Sequence, residues 1–99
     1  MKLIELQPEW LIPGKVFIFM SPSGHKDWLL CKNIPMSMKE QFALFQDEYL
    51  RYKGRTVVPM KEDVCWNIEG NFEDLTVTPS IDASASGNWH GWITKGEIK

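Results

Sequence analysis

The stretch Asp74-Leu-Thr-Val-Thr-Pro-Ser-Ile-Asp-Ala-Ser-Ala-Ser-Gly-Asn-Trp-His-Gly-Trp-Ile93 decides how the rest of this 99-residue chain is read. Its ends are rich in β-formers, with Leu75 to Thr78 and Ile81 on one side and Trp89, Trp92, Ile93 and Thr94 on the other. Ala83 to Gly87 between them is small and polar, which predicts a β-hairpin with a loop of roughly five residues. A loop centred on Ala85 places Ser80 opposite His90 and Asp82 opposite Asn88. Side chains alternate faces along a strand, so Thr78, Ser80, Asp82, Asn88, His90 and Trp92 then share one face. Directly opposed β-carbons stand about 4.5–5.5 Å apart and diagonal neighbours about 7–8 Å. Ser80 and His90 would then meet as a nucleophile and its base must, with Asp82 one diagonal step away. A slip of one residue would carry His90 to the other face, so the chemistry depends on register. Pro79, without an N–H, predicts an edge position or a bulge beside Ser80. The bland alternative is a solvated Ser-His pair of the kind found on ordinary half-exposed hairpins.

Outward from the hairpin, Lys2 to Leu6 predicts a short strand and Pro8 to Gly14 a punctuated connection. Lys15 to Met20 contains Val16-Phe17-Ile18-Phe19, a continuous run suited to burial on both faces, and Asp27 to Cys31 returns after a turn at Ser21 to His25. Ser37-Met38-Lys39-Glu40 has the spacing of a capping box and predicts a helix over about 38–53, ended by Gly54. Met38, Phe42, Phe45, Tyr49 and Tyr52 form its apolar stripe, suited to packing on a sheet. Thr56 to Met60 and Asp63 to Ile68 read as extended, and Glu69 to Asn71 and Lys95-Gly96 as turns. The sum is a single α+β domain over 1–99: a small, mainly antiparallel sheet with one substantial helix packed on it.

A net charge of −2 and scattered basic residues argue against nucleic acid or an anionic membrane as partner. The N-terminus is interrupted by charge and proline before a signal-peptide core develops, and there is no apolar run long enough to span a bilayer. The expected location is therefore the cytoplasm, where Cys31 and Cys65 would be reduced, buried thiols. Those cysteines with His25 and His90 lack the spacing of a zinc site. With no glycine-rich phosphate loop either, no metal or cofactor is expected, and Ser80 with His90 is the constellation that offers a mechanism. Asp82 is the candidate orienting acid, and Trp89 and Trp92 are candidate walls for an extended peptide added at the hairpin edge.

Three segments carry a further resemblance: Leu75 to Ile81, Gly87 to Ile93, and Gly96-Glu97-Ile98. They resemble a small bacterial and phage family with a Thr/Ser-Pro-Ser-Ile motif, a histidine-aromatic-isoleucine motif and a glycine before the last strand. One branch, found in operons for bacterial ubiquitination-like systems, comprises serine proteases that process ubiquitin-like proteins and cleave their conjugates, as deubiquitinases do. The resemblance implies Ser80 as nucleophile and His90 as base; Asp82 lies outside the shared motif. It also implies, as partners, a ubiquitin-like protein or its conjugates and the activating- and conjugating-enzyme-like proteins of the same operon, in a setting such as phage defence. Many relatives carry a cysteine-rich turn after the strand matching Lys15–Met20 and a cysteine before the motif histidine. Here Ser21, Ser23 and His25 stand in the first place and no cysteine occurs from Ala83 to Trp89, which implies a metal-free chain. The competing expectations are a non-catalytic module that binds the same tail or another peptide, and a structural subunit of a conjugation or defence complex.

Overall fold

The computed structural model describes residues 1–23, 27–49, 56–83 and 89–99, with the backbone only for 47–49. After a 3-10 turn at Leu3–Leu6 come β1 (Glu9–Ile12), β2 (Val16–Met20), β3 (Asp27–Lys32), α1 (Met38–Tyr49) and β4 (Thr56–Val58). These are followed by β5 (Asn67–Glu69), β6 (Thr76–Asp82), β7 (His90–Thr94) and β8 (Glu97–Ile98). The strands form two four-stranded sheets, β1-β2-β3-β4 and β5-β6-β7-β8. All neighbours run antiparallel except β3 and β4. The class is therefore α+β as expected, but the sheet is divided into two.

Alternation along β2 and β3 explains the division. Phe17, Phe19, Leu29 and Cys31 point into a core shared with Val77, Ile81 and Ile93 of the second sheet and with Leu75 just before it. Val16, Ile18, Trp28 and Leu30 point the other way, against Met36, Phe45 and Val57 on the helix side. The first sheet is thus the middle layer, buried on both faces, and the continuous apolar run Val16 to Phe19 follows from that position. Burial also pushes the Cys31 thiol far above its ordinary range, leaving it protonated and unreactive.

The helix starts where its cap directs. The Glu40 N–H donates to Ser37 Oγ at 3.1 Å, and the Ser37 N–H donates to Glu40 Oε1 at 3.0 Å. The Ser37 N–H and hydroxyl hold the Glu40 carboxyl below the usual range. That contribution to stability is present above the ordinary carboxylate range and is lost as pH falls through the lowered value. The buried face is not the expected stripe, since Phe45 is buried but Met38 and Phe42 are exposed. The other inward residue is Gln41, whose carboxamide donates to Met36 O and Met60 O and accepts from the Met60 N–H. These three bonds satisfy a buried polar side chain and turn the helix toward 41 and 45. The Tyr49 side chain, Tyr52, Gly54 and the expected helical turn through 53 lie outside the described residues, as does His25.

Three expected elements differ. Lys2 to Leu6 is not a strand, because Leu3 and Leu6 are both buried at a spacing of three and the Lys2 N–H bonds Glu5 Oε2 at 2.6 Å. The stretch Pro8 to Gly14 holds β1, in which Trp10 stacks on Phe72 at 4.8 Å and meets the edge of Phe17 at 5.5 Å; the flanking prolines suit an edge strand. Asp63 to Trp66 is not extended pairing either. There the fully buried Lys32 draws the backbone in, its Nζ donating to Glu62 O at 2.8 Å and Val64 O at 2.5 Å, and β5 begins only at Asn67.

Candidate active site

β6 and β7, the two central strands of the second sheet, build the organising hairpin, with Val77, Ile81, Gly91 and Ile93 turned inward and Thr78, Asp82, His90 and Trp92 exposed. Near the base Val77 faces Ile93, but further on Ile81 faces Gly91 and Asp82 faces His90. Four steps along β6 therefore match two along β7, and the two extra residues are taken up around Pro79, whose bond to Thr78 is cis. This corrects the expected register. Asp82 is opposite His90, whereas Ser80 reaches the histidine diagonally, and Asn88 and the loop at 84–88 lie outside the described residues. A shift of two residues conserves the face, so Ser80 and His90 still meet.

Ser80 Oγ lies 3.4 Å from His90 Nε2. That is long for a hydrogen bond and within the looser range of nucleophile–base pairs before substrate arrives. The Ala83 N–H donates to Trp89 O at 2.9 Å, so Asp82 and His90 occupy the adjacent non-hydrogen-bonded pair, in which opposed side chains stand closer. The carboxylate is thus carried on the strand position facing the imidazole. Trp92, half exposed, stacks on His90 with ring centroids 5.8 Å apart and planes at 26°. Beyond Asp82 opens a cleft of about 330 Å³ between β6 and the segment after β4, walled by Val58, Met60 and Val64 with Lys61 at its side. Neither this cleft nor two larger ones, beside Phe42 and beside Trp10, is lined by Ser80 or His90; this one reaches the site through Asp82.

The two tryptophans named as candidate walls stand apart. Trp89 packs inward, edge-on to Phe19 at 6.1 Å, and does not join the Ser80–His90 face. Gly91 makes this possible, because a Cβ there would lie 2.6 Å from Trp89 Cε2 and 2.8 Å from its Nε1. Gly91→Ala is expected to displace the indole and cost about 1–3 kcal/mol, as overpacking does. Denaturant titration followed by tryptophan fluorescence would measure it, and a loss below about 0.5 kcal/mol would contradict the packing described.

Two residues that the sequence did not mark also bear on the site. The Trp66 indole N–H donates to Ser80 O at 3.1 Å, and the Trp66 backbone N–H donates to Lys32 O at 2.8 Å. The available signal was a lysine directly after the apolar run Trp28 to Cys31, a placement that requires a polar destination inside the fold. Among the described residues no group of three or more His, Cys, Asp or Glu is placed to hold a metal ion, and no helix is long and apolar enough to cross a membrane.

A small α+β domain that carries a serine and a histidine in contact on the outer face of a bulged hairpin has the outline of a serine hydrolase. Residues 51–99, just under half of the chain, match the family model described as bacterial ubiquitination-like system serine protease (BubE). The match spans β4 to β8, and so includes the hairpin and the motifs that suggested the same family. No curated protein and no solved structure matches the chain.

Proposed function

We propose that the protein is a serine peptidase that processes the C-terminal region of a ubiquitin-like protein or cleaves its conjugates. The observation that carries this reading is the 3.4 Å contact between Ser80 Oγ and His90 Nε2 on an accessible sheet face. In this mechanism His90 Nε2 accepts the seryl proton as Ser80 Oγ attacks the carbonyl carbon of the scissile bond. The same nitrogen returns the proton to the departing amine, leaving an acyl ester on Ser80. Water, deprotonated by His90, then releases the acid and restores the serine. Asp82, opposite His90, orients the imidazole and stabilises its charged form. Trp92 confines the ring from the side, and the cleft beyond Asp82 offers apolar walls to the chain of the substrate. The similarity of residues 51–99 to the serine proteases of bacterial ubiquitination-like systems supports both the reaction class and the ubiquitin-like setting. Activating- and conjugating-enzyme-like proteins encoded alongside are the proposed further partners, and the cytoplasm the proposed location.

The test is a fusion in which a ubiquitin-like protein from such a system carries a short C-terminal extension. Intact-mass spectrometry after incubation with catalytic amounts of the protein is expected to show release of the extension at a single bond. Tight binding without release would favour a peptide-binding module instead.

A further inference from the structure

We propose that Trp66 is a positioning residue for Ser80, its indole N–H anchoring the strand segment that presents the nucleophile. The inference rests on the Ser80–His90 reading above. On one side β5 pairs with β6 only as far as Asn67 with Thr78, and on the other the β6–β7 ladder shifts between Val77 and Ile81. Pro79 contributes no N–H of its own. Ser80 therefore lies beyond one ladder and inside the irregularity of the other, where regular pairing does not fix the backbone. The side chain of Trp66, the residue just before β5, takes over at that point and donates to Ser80 O at 3.1 Å.

Trp66 is itself held firmly. It is buried in the core between the sheets, and its backbone N–H donates to Lys32 O. The segment leading to it is tied down by Lys32 Nζ, which reaches Glu62 O, Val64 O and, at 3.8 Å, Cys65 Sγ. Lys32 belongs to β3, paired with Val16 of β2. A continuous run of contacts thus passes from the middle sheet through Lys32 and Trp66 to the carbonyl of Ser80. Its consequence is positional: a 3.4 Å pair has little tolerance, so loosening the bulge by a fraction of an ångström breaks it. Trp66 touches no reacting atom, so its effect is confined to where Ser80 is held.

Trp66→Phe keeps an aromatic ring in the core and deletes the N–H. With melting temperature confirming a folded chain, Ser80 is expected to react with a fluorophosphonate about tenfold more slowly or worse, as misplaced groups do. The His90 ring resonances in ¹H–¹⁵N spectra are expected to move in the direction seen for Ser80→Ala. Ile68→Val, a truncation in neighbouring β5 with no polar change, should lower the melting temperature yet leave both readouts alone. If Trp66→Phe does not fold, a synthetic chain with β-(3-benzothienyl)alanine at this position replaces the N–H by sulfur at nearly constant volume. Native reaction rate and native His90 resonances in a folded N–H-deleted chain would overturn the proposal. If the native chain takes no adduct, the peptidase reading fails, and the His90 resonances still decide whether Trp66 positions Ser80.

Discussion

Ser80→Ala is expected to lower kcat on the fusion substrate by a factor on the order of 10⁴–10⁶ while leaving binding and folding nearly intact. The magnitude follows from the role, since removing the nucleophile removes the covalent route and leaves only what binding and orientation supply. Folding is spared because the Ser80 side chain is half exposed and its hydroxyl contacts His90, whereas the anchoring bond from Trp66 goes to the backbone carbonyl, which alanine retains. His90→Ala should cost a comparable factor, and the double variant should be no worse than the poorer single one, because the two side chains act as a unit. Single-turnover kinetics with titrated binding separates the quantities. Turnover by Ser80→Ala within tenfold of native would assign the chemistry elsewhere.

Gly96→Ala is expected to be the most damaging small substitution for stability. Gly96 joins β7 to β8 at a φ of +79°, where its N–H donates to Leu75 O and its carbonyl accepts from the Leu3 N–H, both at 2.8 Å. An L-residue in this left-handed region costs roughly 1–2 kcal/mol. The added Cβ would in addition collide with the carbonyl oxygen of Glu73 and lie 2.8 Å from its carbon, a backbone obstacle that has no rotamer to escape into. Overpacking of that kind costs about 1–3 kcal/mol, for a combined loss of roughly 2–5 kcal/mol. In a domain of this size that lowers the melting temperature by about 10 °C or more. Gly14→Ala isolates the backbone part, because Gly14 has φ +75° and open space around its missing Cβ. Equal losses for the two variants in thermal unfolding would remove the collision with Glu73 from the explanation.

This geometry also shows which parts of the fold local sequence encodes. The capping box at Ser37, the double-faced run Val16 to Phe19 and the β6–β7 hairpin are local patterns, and each stands where its pattern places it. The register of the hairpin is not local. Two extra residues around Pro79 exchange the positions expected of Ser80 and Asp82 relative to His90, and the Ser80–His90 contact was legible because the shift is an even number of residues. β1 was hidden by its flanking prolines, since edge strands accept a residue that interior strands refuse. The helix face and the end of β5 were hidden for another reason. Gln41 and Lys32 are polar side chains that nonetheless go inside, because backbone carbonyls await them there. Residue type alone sends such side chains to the surface, and only the assembled fold supplies their partners.

The most direct test is the reaction of the chain with a fluorophosphonate probe, read by intact mass and peptide mapping on the native protein, Ser80→Ala and His90→Ala. The expected result is one adduct per native chain, located on Ser80, absent from Ser80→Ala and strongly slowed in His90→Ala, since the phosphorus centre requires a serine that its base has activated. A stoichiometric adduct on another residue, or equal labelling of all three chains, would contradict the assignment of Ser80 and His90 as a nucleophile and its base.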